Sequence, residues 1–142
     1  MILIAEDNPT DEALILRAFK KSNVSSQIIV VRDGAEAVDF LFCQGAYKNR
    51  DPRDLPQLIL LDMKLPKLTG LEVLRRIRAN KHTRLLPVIM LTSSKEEQDL
   101  IESYQSGANS YISKPIDYDE FLEAVRQLSV YWLLLNEPPP QI

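Results

Sequence analysis

Apolar residues in this chain gather into short uninterrupted runs, and between the runs they recur every three or four positions. The runs lie at Ile2 to Ala5, Ile28 to Val31, Leu58 to Leu61, Pro87 to Leu91 and Ser110 to Ile112. Their length predicts strands that are apolar on both faces. The intervening stretches carry the helical period. Asp11 to Lys21 brings Ala13, Leu14, Leu16 and Phe19 together, and Gly34 to Phe42 does the same with Ala37, Val38, Leu41 and Phe42. Leu71 to Ala79, Glu96 to Gln105 and a longer Tyr118 to Leu135 continue the alternation. Strands covered on both sides and separated by helices predict an α/β fold, a (βα)5 doubly wound parallel sheet with right-handed crossovers.

Five such units favour the flavodoxin-like strand order 2-1-3-4-5, in which ligands sit beyond the carboxyl ends of the strands near the switch point. In that order the first, third, fourth and fifth strands are neighbours, so the residues that follow them should meet at one edge. Those residues are Glu6 and Asp7, Asp62, Thr92 and Lys114. An ionised carboxylate at the end of an apolar run such as Leu58-Ile-Leu-Leu-Asp62 is costly unless it is paired or used. Three carboxylates held close together repel, which raises at least one pKa unless a cation is present. With oxygen donors and neither His nor Cys, the set suits a hard ion such as Mg²⁺. Thr92 and Lys114 are donors, and they fit an anion with several acceptor oxygens, such as a phosphoryl group. Asp62 is then placed to act as a nucleophile that forms an acyl phosphate.

Composition narrows the class. The 142 residues fit one domain with a single core. Seventeen basic against 20 acidic residues give a net charge of −3, without the basic stripe of a nucleic-acid binder. The single cysteine, Cys43, excludes an intramolecular disulfide and a thiolate metal site, and reads as a small core residue. No apolar run reaches the ~20 residues of a membrane span. With no charged leader before Met1-Ile-Leu-Ile4, a cytoplasmic protein is expected.

At Glu6-Asp7, Asp62 with Pro66 and Gly70 downstream, Thr92, and Tyr111-Ile-Ser-Lys114-Pro115, the chain resembles the receiver domain of two-component response regulators. The resemblance spans nearly the whole chain. It implies phosphorylation of Asp62 by a partner histidine kinase, with Mg²⁺ held by Asp7, Asp62, the main-chain carbonyl of Lys64, and waters positioned by Glu6. It also implies that Thr92 and Lys114 contact the phosphoryl oxygens, that Pro115 follows a cis peptide bond, and that Thr92 and Tyr111 form the switch. The face of the fourth predicted helix, fifth strand and last helix would then change shape for a downstream protein to read. Lys64 and Ser93 depart from the commonest chemotaxis-type pattern in which a neutral or acidic residue and an alanine stand there.

Other residues bear less chemistry. Glu6-Asp7 could form a turn with Asn8-Pro9 and cap the first helix, or Asp11 or Thr10 could do the capping instead. His82 reads as a surface residue, and Arg50-Asp-Pro-Arg-Asp54 as a solvated mixed-charge loop. The division expected is a receiver over 1–128 and an apolar extension with a Pro-rich tail over 129–142. Tyr131, Trp132, Leu133 and Leu134 leave the last helix almost no polar face, so a homodimer through this end is expected over packing on its own domain. That ending and the long Gly45 to Gln57 connection resemble single-domain regulators of phytochrome-type histidine kinases. Two rivals are an aspartyl-nucleophile phosphatase of the haloacid dehalogenase type and a degenerate, unphosphorylated dimeric scaffold. The first wants a second acid at position 64, and the intact polar set opposes the second. Flavin or nucleotide binding would want a glycine-rich phosphate loop, which is missing.

Overall fold

Strands form where the apolar runs lie. In the computed structural model, which describes residues 1–93, 102 and 104–128, they are β1 (Ile2–Ala5), β2 (Ile28–Val31), β3 (Leu58–Asp62), β4 (Val88–Thr92) and β5 (Ser110–Ser113). All neighbours are parallel, in the order β2-β1-β3-β4-β5, which is the flavodoxin-like arrangement expected. The register sets Ala5 opposite Leu61, Asp62 opposite Leu91 and Thr92 opposite Ser113. The carboxyl ends of β1, β3, β4 and β5 therefore finish at nearly one level. Burial is complete along β1, β3 and β4, but only partial along β2 and β5. The edge strands have a neighbour on one side only, which the apolar run itself does not reveal.

The described residues include the helices α1 (Pro9–Lys21), α2 (Gly34–Leu41), α3 (Gly70–Ala79) and α4 (Tyr118–Leu128), which pack on this sheet. Their starts are set by caps. Asn8, rather than Thr10 or Asp11, caps α1, its Oδ1 accepting the N–H groups of Thr10 at 2.9 Å and Asp11 at 3.1 Å. Pro9 then begins the helix, where its missing N–H has no consequence. Asp33 caps α2 by accepting from the Glu36 N–H at 2.7 Å, and Thr69 caps α3 by accepting from the Glu72 N–H at 3.2 Å. Of the predicted Glu96 to Gln105 helix, Glu102, Tyr104 and Gln105 are helical, and the rest lies outside the described residues. The 129–142 extension, with Tyr131, Trp132, Leu133 and Leu134, also lies outside them.

Alternate strand residues feed two cores. Leu3, Ala5, Ile59, Leu61, Val88 and Met90 meet Val38, Leu41, Val73, Leu74 and Ile77 from α2 and α3. Ile2, Ile4, Leu58, Leu60, Ile89 and Leu91 meet Ile15 and Phe19 of α1 and Phe121 and Val125 of α4. Each of these larger side chains contributes roughly 1.5–3 kcal/mol on burial. Phe19 and Phe121 join the two helices edge to face at 6.4 Å, and the Arg17 guanidinium lies 4.6 Å from the Tyr118 ring centre.

Two expectations are corrected at the opposite, amino edge of the sheet. Cys43 is not a core residue: it is half-buried at the end of α2 with φ +55°, and its Sγ lies 3.6 Å from Arg50. In the Arg50 to Asp54 run, residues 51–54 are exposed as a solvated loop should be, but Arg50 is not simply solvated. The Arg50 guanidinium stacks 3.8 Å from the Phe40 ring centre and donates to the Phe40 and Asp54 carbonyls. A charged residue in a polar run gives no sign that an aromatic face and two carbonyls await it. Nearby, Arg78 donates to the carbonyls of Gly107, Arg84 and Leu86 and to Asn109 Oδ1, tying α3 to the approaches of β4 and β5.

Candidate functional site

The common level of the strand ends brings the polar residues together. Glu6 follows β1, donates its N–H to the Val31 carbonyl at 3.0 Å, and is 1% exposed. Asp62 is the last residue of β3 and 5% exposed, while Asp7 stands at the surface. Carboxylate oxygens of Glu6, Asp7 and Asp62 lie within 4.8 Å of one another. Thr92 closes β4 and is buried, and its carbonyl accepts the Lys114 N–H at 2.6 Å. The Lys114–Pro115 peptide bond is cis.

Lys114 crosses the site. Its Nζ donates to Glu6 Oε1 at 2.5 Å, and lies 2.9 Å from Asp11 Oδ2 and 3.4 Å from Asp62 Oδ2. Burial pushes the Glu6 carboxyl up to about 7, helped by the adjacent Asp62 and opposed by Lys114. For Lys114, burial opposes the charge, but the bonds to Glu6 and Asp11 and the field of Asp62 outweigh it and hold the ammonium above the ordinary lysine range. The lysine therefore stays charged, and the crowding of acids is felt at Glu6.

The backbone around Asp62 is fixed closely. The Met63 N–H reaches the Leu91 carbonyl at 2.8 Å, and the Gly70 N–H reaches the Met63 carbonyl at 2.9 Å. A Cβ on Gly70 would fall 2.2 Å from the Asp62 carbonyl oxygen, so only glycine lets α3 start this close to the strand end. The Lys64 N–H points at Asp62 Oδ1 from 3.4 Å, with the Lys64 side chain exposed. Ser93 is exposed beside Thr92. Tyr111, on β5, is partly buried and meets the exposed Tyr104 ring edge to face at 6.2 Å.

Five sequence-singled groups, Glu6, Asp7, Asp62, Thr92 and Lys114, thus share one edge. His82 does not: it is exposed at the amino edge, where it lines a cleft of about 560 Å³ together with Leu41, Phe42, Pro52 and Leu55. Sequence reading missed Asp11 as a member of the site. Its signal was the first turn of the helix that directly follows the acid pair, but an acid in that turn has capping as its ordinary explanation. The acids offer an all-oxygen donor set, partly buried and open through Asp7, which fits a hard divalent ion.

The chain is similar throughout to known proteins. The family profile for the response regulator receiver domain matches residues 2–126. The response regulator Rcp1 of Synechocystis is 39% identical over 133 residues, 94% of this chain and 88% of its own length. A probable methanogenesis regulatory protein, FilR2 of Methanothrix harundinacea, is 37% identical over 139 residues, 98% of this chain and 87% of its own. Among solved structures, the Mn²⁺-bound form of Rcp1 superposes with a TM-score of 0.84 at 37% identity, covering 98% of both chains. The phosphorylated cyanobacterial phytochrome response regulator RcpA gives 0.86 at 36%, covering 98% and 97%. The bacteriophytochrome response regulator RtBRR gives 0.80 at 47%, covering 98% and 83%.

Proposed function

This chain belongs to the response regulator receiver family, and from that premise we propose that Asp62 is the residue that takes the phosphoryl group. A receiver is a signalling phosphoacceptor and turns over no metabolite. The observation that carries the assignment is the Asp62 carboxylate itself, nearly buried at the edge of β3 with Glu6, Asp7 and Lys114 around it.

The donor is the phosphohistidine of a sensor kinase. An Asp62 oxygen attacks phosphorus, a new O–P bond forms, and the donor's P–N bond breaks with its electron pair remaining on the imidazole. Lys114 offsets charge on the phosphoryl oxygens, and the Thr92 hydroxyl donates to one of them. Asp7, Asp62 and the Lys64 carbonyl would hold Mg²⁺, with Glu6 positioning its waters, and the ion would supply charge neutralisation on the transferred group when bound. The same groups support slow hydrolysis and uptake from small phosphodonors. Thr92 and Tyr111 link the phosphoryl group to the outer face of β5, where a downstream protein reads the state.

A phytochrome-type kinase is the partner we assign, supported by the likeness to RcpA and RtBRR. The chain works in the cytoplasm and dimerises through Tyr131, Trp132, Leu133 and Leu134, supported by the apolar sequence there. Incubation with a small phosphodonor and Mg²⁺, followed by intact mass, tests the central assignment. Wild type gains an acid-stable, base-labile phosphate and Asp62→Asn gains none; an unmodified wild type refutes it. Transfer from a purified phytochrome-type kinase tests the partner separately. Light scattering of the full chain and of a chain ending at Leu128 tests the dimer, which an unchanged monomer mass in both rules out.

A further inference from the structure

We infer that Asp11 is a positioning residue that takes one of the three Lys114 N–H donors in the resting protein and so keeps the lysine from closing on Asp62. The inference rests on Asp62 being the metal-assisted phosphoacceptor. An ammonium has three donors, and here two of them go to Glu6 and to Asp11 at 2.9 Å, while Asp62 is the most distant of the three carboxylates at 3.4 Å. The arrangement is enclosed: the Lys114 side chain is 11% exposed and that of Asp11 20%. Asp11 reaches it from α1, whereas Glu6 and Asp62 come from strand ends, so it pulls Nζ away from the sheet edge. It is free to do so because Asn8 performs the capping of α1.

Asp62 has two competing demands on it. A tight ion pair with Lys114 would occupy one of its two carboxylate oxygens, when phosphorus needs one and the metal the other. Asp11 relieves that competition, since a donor committed to α1 cannot be spent on β3. Without Asp11, the ammonium has two acceptors left and moves toward Asp62. Metal then has to displace it.

The test is Mg²⁺ binding to the metal-free full chain by calorimetry, a readout that needs no phosphorylation. Wild type, Asp11→Ala, Lys114→Ala and the double variant form a cycle. Asp11→Ala weakens Mg²⁺ binding about tenfold in the wild-type background and by about twofold or less once Lys114 is gone, the coupling expected of groups in one ion-pair network. Asp11→Glu regains most of the affinity, and Asp11→Asn, which keeps the shape and an acceptor, falls between. Thermal melts of each variant report folding, and the Asn variant carries the test where Ala does not fold. Unchanged Mg²⁺ affinity on removing Asp11, or an equal loss with and without Lys114, overturns the inference. Failure of the underlying reading is seen independently, as a wild type that binds Mg²⁺ but takes no phosphate on Asp62.

Discussion

Glu6 and Lys114 form the closest pair in the site, yet they respond to pH in different ranges. The Glu6 carboxyl titrates near 7 in the fold against an ordinary value of 4.5. The folded state therefore holds its proton more tightly than the unfolded state does. Its contribution to stability is complete below about pH 4.5 and is lost as pH rises through about 7, an effect on the order of 3 kcal/mol. Lys114 is raised as well, so its contribution is present below the unfolded lysine pKa and disappears only above the folded one, outside the neutral range. In metal-free protein, Glu6→Gln should accordingly lose less stability than wild type between pH 5 and about 8. Denaturant melts across that range measure the difference, and parallel curves would contradict the burial argument. Sequence reading anticipated a raised acid in this trio but could not assign it. The raised value falls on Glu6 because burial is deepest there, a property of the packed strand ends that the order of residues does not reveal.

At the scale of elements, the strand that carries Asp62 and the helix that follows it touch through Gly70. Gly70→Ala forces a methyl group against the Asp62 carbonyl, where the built Cβ falls at 2.2 Å. It should cost roughly 1–3 kcal/mol and slow phosphate uptake, because the end of β3 must move. Thr69→Ala, one residue earlier, removes only a cap and should cost about 1 kcal/mol with uptake little changed. Urea melts and phosphorylation rates on both variants separate the two effects. Arg78 performs a different task, with three carbonyls and Asn109 on one guanidinium. Arg78→Met leaves those acceptors without it and should cost about 3 kcal/mol while the phosphorylation edge stays intact. Gly107, at φ +97°, is the residue that lets Arg78 lie so close. The existence of these elements was legible in periodicity alone. Their starts were not: α1 begins two residues before Asp11 because Asn8 supplies the cap, and several polar residues in a row offer that role equally well. Arg50 and Arg78 were illegible as staples, since their partners are backbone carbonyls, which every sequence contains.

For the molecule as a whole, strand order carried the sequence argument from pattern to site. Once the order is 2-1-3-4-5, the residues after four strands must share an edge, and Glu6, Asp7, Asp62, Thr92 and Lys114 do. What order cannot deliver is the path of a long side chain across that edge, and so Asp11 was missed. Because the acids repel one another in the apo state, a divalent ion should stabilise the fold as well as the reaction. Mg²⁺ at about a hundred times its Kd should add ~2.7 kcal/mol to unfolding. Asp7→Asn should abolish most of that gain, since it takes a carboxylate charge from the proposed metal set without disturbing a buried pair. Calorimetric melts with and without Mg²⁺ check it, and an equal gain in Asp7→Asn would place the ion elsewhere.

The two edges of the sheet also differ in how much change they can accept. Around Arg50, the 43–57 connection is fastened by Phe40, Asp54 and the Phe40–Tyr47 ring pair at 5.1 Å, with Lys48 and Asn49 exposed at its outer turn. Lengthening a loop whose base is already tied costs little, about 0.6 kcal/mol for each doubling. Lys48-Asn49, in the connection that leads into the start of β3, is thus a natural seat for an inserted epitope or fluorescent reporter, where it can follow the protein without intruding on the strand ends that carry Asp62.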